Sequence, residues 1–259
     1  MKTRYLVLLG LIVFTCVGVA CTQQEQTKSK ATNHSTQRES QALASGSLSD
    51  SLENILLNDQ NIVEVLTLYG KLNPQTEILL ETTLGNIRIK LHTETPLHRA
   101  NFLRLAKKKF FDGSEFHRVM PDFMIQGGGT DQPRQEIGTY TIPAEINPKF
   151  LHKRGAVAMA REDKNNPQKR SATHDFFIIQ GKKLSVGEVK GTGIEYGFTP
   201  TQAQLQTYPK TGGCPHLDGQ YTIFGEVTQG LDIVEKISKV KTDDGFWPID
   251  AVKIKVRVL

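Results

Sequence analysis

Cysteine is scarce in this chain of 259 residues, which contains three, and tryptophan occurs once. Cys16 lies inside an apolar N-terminal stretch and Cys21 directly follows it, so Cys214 is the one cysteine of the remaining sequence. With the first removed and the second acylated, no intrachain disulfide is available. The sequence therefore excludes a small domain held together by disulfides.

Motifs of several common enzyme classes are also missing. Gly181-Lys182 lacks the glycine that opens a phosphate-binding loop, since residue 176 is phenylalanine, and no Gly-x-Ser-x-Gly elbow of a serine hydrolase occurs. The histidines beyond residue 90 follow no metal-ligand spacing and stand at positions 92, 98, 117, 152, 174 and 216. We predict neither a metal nor a cofactor.

The excess of positive charge is small. The chain has 32 Lys and Arg against 27 Asp and Glu, a net charge of +5, and loss of residues 1–20 would remove Lys2 and Arg4 and leave +3. Nucleic-acid binding usually needs a clustered basic face, so no nucleic-acid partner is predicted. The 38% of hydrophobic residues is ordinary for a globular protein.

The one long apolar run lies at the N-terminus. Lys2 and Arg4 precede residues 5–20, which are almost wholly apolar, and this pattern is typical of a secretory signal. The run is short for a membrane span, which needs ~20 apolar residues. We predict that residues 1–20 are a cleaved signal peptide, with an uncleaved anchor as the alternative.

Val19-Ala20-Cys21 resembles the bacterial lipobox, in which small residues precede a cysteine that receives lipid, although Gly18 stands where leucine is usual. We expect Cys21 to anchor the protein in a bacterial cell envelope, on the periplasmic face, and Thr22 favours the outer membrane. Residues 21–50 are mostly polar and predict a flexible tether.

Residues 51–72 predict a short helical extension. Leu52, Ile55, Val63 and Leu66 lie near helical spacing, and Gly70 is well placed to end a helix.

From residue 77 onward, strand patterns dominate. Ile87, Ile89 and Leu91 alternate with charged residues, as the apolar residues of 252–258 also do, which indicates half-buried strands. Further short strand-like segments lie at 155–160, 176–180 and 221–227.

Helical signals in this region are few. Thr95 is the predicted cap of a helix that Pro96 opens, and Gly230 precedes a second helix at 231–237. Residues 181–213 form a long insertion with a short helix predicted at 200–208. Many strands with two core helices favour a closed antiparallel barrel.

The most informative stretch is 116–128, Phe-His-Arg-Val-Met-Pro-Asp-Phe-Met-Ile-Gln-Gly-Gly. Here the chain resembles the cyclophilins, and further similar blocks follow in family order at 95–102, 155–160, 176–178 and 217–225. The resemblance covers about 77–259. It implies a mainly β, cyclophilin-like closed eight-stranded antiparallel β-barrel with two packing α-helices, here with an N-terminal helical extension. It also implies a peptidyl-prolyl cis–trans isomerase acting on proline-containing polypeptides.

The chemistry of that reaction points to one residue. An X–Pro amide resists rotation by ~18–20 kcal/mol because its C–N bond has partial double-bond character. During isomerisation no covalent bond breaks, but the nitrogen loses conjugation and becomes pyramidal. A hydrogen-bond donor aimed at this nitrogen therefore stabilises the transition state more than the ground state. Arg118, with its permanent charge and directional donors, is the candidate catalytic residue.

By the same resemblance, an apolar slot receives the proline ring, Gln126 holds the substrate backbone and orients Arg118, and Ala160 touches the substrate through its backbone. The predicted substrate-binding residues are His117, Phe123, Met124, Gln126, Ala160, Arg161, Asp175, Phe177, Leu217 and Tyr221.

Some positions depart from the family pattern. Histidine, asparagine and glutamine are common in the family where this chain has Tyr221, Arg161 and Asp175, respectively. Many eukaryotic members have tryptophan where this chain has His216, and this difference argues against tight cyclosporin binding. An ionised Asp175 only accepts hydrogen bonds, so it is predicted to pair with either Arg161 or His174.

We therefore predict a monomeric isomerase that helps exported proteins to fold and is held on the membrane by its N-terminal lipid. The alternative is a non-catalytic module on the same fold that binds proline-containing peptides. A third possibility is an envelope chaperone or scaffold that docks through the insertion at 181–213.

Overall fold

The computed structural model describes residues 46–129 and 136–259. The predictions for the signal peptide, for Cys21 and for residues 21–45 of the tether concern residues outside these ranges. Residues 46–50, which were also predicted to belong to the flexible tether, are helical instead. Residues 48–259 form one compact unit. In chain order the helices and strands are α1 (46–54), β1 (Leu57–Asn58), α2 (Ile62–Leu72), β2 (Glu77–Thr82), β3 (Gly85–Leu91), α3 (Pro96–Lys107), β4 (Ser114–Met120), β5 (Met124–Gly127), β6 (Gly138–Thr139), β7 (Ala156–Met159), β8 (Phe176–Ile179), α4 (Val186–Tyr196), α5 (Gln202–Thr211), β9 (Ile223–Gln229), α6 (Leu231–Ser238) and β10 (Lys253–Val258).

Eight of these strands close into a barrel in the order β10–β2–β3–β9–β7–β8–β5–β4. All pairings around the barrel are antiparallel. The predicted mainly β, closed eight-stranded barrel is therefore confirmed. β1 and β6 pair separately, as a parallel two-stranded ladder.

The hairpin of β2 and β3 shows how the sequence pattern builds the barrel. Ile78 lies opposite Ile89, and Leu80 lies opposite Ile87, and all four side chains are at most 1% exposed. The residues between them are more exposed. Because side chains alternate between the two faces of a strand, this spacing places every second residue in the barrel core.

The two predicted packing helices are α3 and α6. Phe102 of α3 enters the core, where its ring centroid lies 4.9 Å from that of Phe111, 5.3 Å from Phe176 and 5.2 Å from Phe224. Val234 of α6 is 1% exposed. Aromatic pairs at these separations add about 0.5–1.5 kcal/mol each beyond the area they bury.

The N-terminus of α3 differs from the prediction. Thr95 makes no side-chain capping hydrogen bond. Instead, the carboxylate of Glu145 accepts hydrogen bonds from the backbone N–H of Leu97 (3.0 Å) and of His98 (2.9 Å). The capping prediction was therefore wrong, because a residue 48 positions away in sequence supplies the acceptor.

The N-terminal extension packs through α2 on α3. Gly70 was predicted to end a helix, but α2 continues to Leu72. A Cβ atom at Gly70 would lie 3.1 Å from Cβ of Ala100. The glycine therefore permits a close helix crossing, which Arg99 stabilises by donating to the carbonyl of Gly70 at 3.0 Å.

The insertion contains two helices, whereas the sequence predicted one. α5 overlaps the predicted helix, but α4 was missed because it contains three glycines, which disfavour helices. Each helix begins with a capping box, Ser185 with Glu188 in α4 and Thr201 with Gln204 in α5. Reciprocal capping satisfies two backbone donors and offsets the poor helix propensity.

None of the helices within 46–129 and 136–259 has the length and hydropathy needed to cross a membrane.

Candidate active site

A cavity of about 190 Å³ opens on the outer side of the barrel. Its walls come from β4, β5 and β8, from the segment after β7, and from residues 217–221. It is lined by Arg118, Phe123, Met124, Gln126, Ala160, Arg161, Asp163, Phe177, Leu217 and Tyr221. Nine of these ten residues belong to the site predicted from sequence.

The floor of the cavity is apolar. Met124, Phe177 and Leu217 are 2, 5 and 8% exposed, and they belong to a hydrophobic cluster separate from the barrel core. The ring of Tyr221 meets that of Phe177 edge to face, with centroids 5.4 Å apart and an interplanar angle of 88°. An apolar, half-open notch of this kind suits a small saturated ring.

A bulge in β4 determines where Arg118 points. Phe116 and Val119 are both fully buried, although strict alternation would place residues three apart on opposite faces. The pairing shifts between Phe116 and Arg118, so His117 is the extra residue. Bulges re-aim side chains, and this one leaves Arg118 exposed on the face away from the core.

The strand register then aligns three site residues. Arg118 pairs with Gln126 across β4 and β5, and Gln126 pairs with Phe177 across β5 and β8. Directly opposed residues in antiparallel strands share one face of the sheet. The guanidinium, the amide and the apolar ring therefore form a row across three strands.

Arg118 keeps its donors available. Within the described residues, its guanidinium makes no hydrogen bond and no ion pair, and the side chain is exposed at the mouth of the cavity. A planar cation with unoccupied N–H groups beside an apolar notch can donate to a ligand held in that notch.

His117 lies behind this row and does not line the cavity. Its Nε2 is 3.3 Å from Nε2 of Gln126, and its ring centroid is 5.7 Å from that of Trp247. Burial lowers the pKa of His117. The neutral ring then accepts a hydrogen bond from the Gln126 amide, which leaves the Gln126 carbonyl oxygen as an acceptor for other groups.

Arg161 forms the opposite wall. Its Nε donates to the carbonyl of Gln220 at 2.9 Å, and Nη1 lies 2.8 Å from Oδ1 of Asp163. Its guanidinium also lies 4.9 Å from the ring centroid of Tyr221, within the range of a cation–π contact. Asp163 was not among the residues predicted from the sequence, because its neighbours along the chain are also polar and do not distinguish it.

Asp175 also lies outside the cavity lining. Its Oδ1 is 3.1 Å from Nδ1 of His174, one of the two partners predicted for it. Its backbone carbonyl accepts from the N–H of Ala160 at 2.8 Å, and the carbonyl of Ala160 accepts from Ala172 at 2.8 Å. The single N–H proton of Ala160 is therefore occupied, whereas its carbonyl oxygen has a second lone pair that can accept a hydrogen bond from a substrate.

No group of three or more His, Cys, Asp or Glu residues in the described part of the chain is arranged to hold a metal ion.

A closed eight-stranded antiparallel barrel with an exposed arginine over an outer apolar notch defines a cyclophilin-type protein. A family model described as cyclophilin type peptidyl-prolyl cis-trans isomerase/CLD matches residues 77–258. The chain belongs to this family, and it is a peptidyl-prolyl cis–trans isomerase.

The chain is similar to curated members of the family. It is 33% identical over 169 residues to a peptidyl-prolyl cis-trans isomerase of Acinetobacter baylyi, covering 64% of this chain and 74% of that protein. It is 33% identical over 180 residues to the peptidyl-prolyl cis-trans isomerase ppi1 of Schizosaccharomyces pombe, covering 68% and 93%.

Solved structures show the same fold. A cyclophilin type peptidyl-prolyl cis-trans isomerase of Cryptosporidium parvum has a TM-score of 0.54 at 22% identity, covering 71% of this chain and 98% of that one. A second structure of that protein, obtained in the presence of the dipeptide Ala-Pro, has a TM-score of 0.53 at 23% identity, with the same coverage.

Proposed function

We propose that the protein isomerises X–Pro bonds of exported polypeptides in the cell envelope, with Arg118 as the catalytic donor. The proline ring occupies the notch over Met124, Phe177 and Leu217. The Arg118 guanidinium donates to the proline nitrogen as that nitrogen loses planarity. The Gln126 carbonyl oxygen accepts from a substrate backbone N–H and fixes the register of the peptide.

The observation that carries this mechanism is the row of Arg118, Gln126 and Phe177 across three strands. It supports a rigid placement of donor, backbone anchor and ring pocket on neighbouring strands. Such preorganised donors need little reorganisation during the reaction. The Ala-Pro dipeptide present with the Cryptosporidium parvum relative supports proline-containing peptides as ligands.

Replacement of Arg118 tests the mechanism. Arg118→Ala should lower kcat/KM in a protease-coupled peptide assay by about 100-fold, the usual effect of losing one preorganised donor. Arg118→Lys should recover part of this loss, because lysine keeps the charge but not the planar fork. The matched control is Arg88→Ala, an exposed arginine on β3, which should behave like the wild type.

Two outcomes would contradict the proposal. Retention of kcat/KM within about threefold in Arg118→Ala would remove the arginine from the mechanism. If the wild type binds proline peptides without accelerating their isomerisation, the rival binding module is correct.

The location is proposed from sequence alone. The apolar residues 5–20 and the lipobox-like Val19-Ala20-Cys21 support export followed by lipid attachment at Cys21. We propose that the enzyme is held on the periplasmic face of the outer membrane and acts as a monomer. Cys21→Ser should release the exported protein into the soluble envelope fraction. Membrane retention of this variant would disprove the lipid anchor.

A further inference from the structure

Three aromatic side chains stack in a line that begins at the proline notch. The ring of Phe123, which lines the notch, stacks on His216 with centroids 5.7 Å apart and an interplanar angle of 27°. His216 stacks in turn on Tyr196, with centroids 4.8 Å apart and an angle of 26°. We call these three residues the aromatic platform.

We propose that the aromatic platform is a substrate subsite that binds an aromatic or large apolar side chain close to the isomerising proline. This inference rests on the proposed function, because it assigns a second contact to the same polypeptide substrate.

The insertion supplies the outer end of the platform. Tyr196 is the last residue of α4, and α4 packs against the short 3-10 helix Pro215–Leu217 that carries His216. The capping box at the start of α4 and the fully buried Val189 fix the helix in place. The insertion therefore places an aromatic ring next to the proline site.

Tyr196 remains available to a ligand. It is 55% exposed, although large aromatic residues are usually well buried. Its hydroxyl makes no hydrogen bond within the described residues. Burial lowers the pKa of His216, so the ring between Phe123 and Tyr196 is neutral at neutral pH and the platform presents aromatic faces and edges.

The dimensions of the platform match a short peptide. Its two ring spacings of 5.7 and 4.8 Å together correspond to about three residues of extended chain, which advances ~3.3–3.6 Å per residue. A peptide with its proline in the notch would thus bring a side chain two or three positions away onto Tyr196. Aromatic side chains bind such surfaces through stacked or edge-to-face contacts.

A peptide series tests the subsite. In a set of otherwise all-alanine peptides with one central proline, a single phenylalanine is moved through three positions on each side. NMR titration gives Kd for each peptide, and exchange spectroscopy on the same samples gives the isomerisation rate. At one position, two or three residues from proline, we expect phenylalanine to lower Kd by about threefold to tenfold relative to alanine.

Variants locate the preference. The ratio of Kd for the alanine peptide to Kd for the phenylalanine peptide should fall below about twofold in Tyr196→Ala. His216→Ala, which removes the middle ring of the platform, should have the same effect. Tyr196→Phe should keep the ratio, because the ring remains. Ile194→Ala is the matched control: Ile194 is 87% exposed on the same helix, and residues two apart on a helix point about 200° apart.

The outcomes separate the subsite from the catalytic mechanism. The subsite is disproved if the wild type prefers phenylalanine at no position of the peptide. It is also disproved if Tyr196→Ala and His216→Ala both keep the preference, or if both variants weaken the binding of all peptides equally. Arg118→Ala should lose exchange acceleration while keeping the Kd ratio. A wild type that accelerates no peptide would disprove the proposed mechanism, and the Kd ratios would still decide the subsite.

Discussion

The partly buried carboxylate of Asp218 helps to link the insertion to the barrel, and removing one of its hydrogen bonds should lower the free energy of unfolding. Oδ2 of Asp218 accepts from the hydroxyl of Tyr208 at 2.5 Å and from Nε2 of Gln204 at 2.8 Å, both on α5. Oδ1 accepts from the backbone N–H of His152 at 2.7 Å and lies 2.9 Å from Nδ1 of that ring. One carboxylate thus joins the insertion to the loop before β7.

Tyr208→Phe removes the hydroxyl and leaves the ring, which is fully buried. Burial raises the pKa of Tyr208 above its ordinary value, so the hydroxyl keeps its proton and is a donor at neutral pH. A hydrogen bond to a charged acceptor contributes about 1.5–3 kcal/mol, so we expect Tyr208→Phe to lower the free energy of unfolding by about 2 kcal/mol. For a domain of about 150–250 residues this is a fall in Tm of about 4–8 °C.

Urea denaturation followed by circular dichroism measures this change, with an unchanged m-value expected because the folded core is the same. Tyr196→Phe is the matched control, since Tyr196 is 55% exposed, and it should stay within about 0.5 kcal/mol of the wild type. If Tyr208→Phe is no less stable than this control, the Asp218 contacts do not couple α5 to the barrel and the reasoning fails.

Two further predictions concern ionisable groups. Hydrogen bonds from Lys239 and other donors, including Arg154, hold the pKa of Glu235 at about 2, below its usual 4.5. The ionised carboxylate therefore stabilises the fold fully above about pH 4.5, and this stabilisation is lost as the pH falls towards about 2. Glu235→Gln should lower the free energy of unfolding by up to about 1 kcal/mol at pH 7, and the difference between variant and wild type should shrink in acid. A difference independent of pH in urea melts would contradict this. Cys214 is 4% exposed and burial raises its pKa to about 12, so at pH 8 Ellman's reagent should label it only in denaturant, tested with the two N-terminal cysteines replaced by serine. Rapid labelling of the folded protein would show that the thiol is accessible.

The parts of the fold that local pattern encodes were predictable from the sequence. The alternation through Ile87, Ile89 and Leu91 identified β3, because a strand with one face in the core must place every second side chain there. The acceptor for the first turn of α3 was not predictable, because Glu145 reaches it from a distant loop. Gly70 was misread for a similar reason: its small size serves the packing of α2 on α3.

In the candidate site, too, the residues of local motifs were predictable from the sequence, and the features that depend on tertiary contacts were not. The motif at 116–128 named Arg118 and Met124, the similar blocks at 176–178 and 217–225 supplied Phe177 and Leu217, and the barrel brings these residues to one cavity. The bulge at His117 that turns Arg118 outward depends on pairing with β5, which the sequence of β4 does not encode. Asp163 and Tyr196 were missed because each acquires its role only through a tertiary neighbour, Arg161 and His216 respectively.

The insertion contacts residues next to the notch, which its sequence did not indicate. Its two ends meet closely: a Cβ atom at Gly181 would lie 2.6 Å from Cα of Gly213, whose N–H donates to Lys182 at 3.1 Å. From this closed base, α5 contacts Asp218, the neighbour of the notch residue Leu217. The His152 ring on the other oxygen of Asp218 lies nearly parallel to that of Phe177, with centroids 6.2 Å apart and an angle of 13°. We therefore expect a change in the insertion to affect the floor of the notch through the Asp218 carboxylate and its rim through the aromatic platform. An insertion serving only to dock a partner would need neither connection.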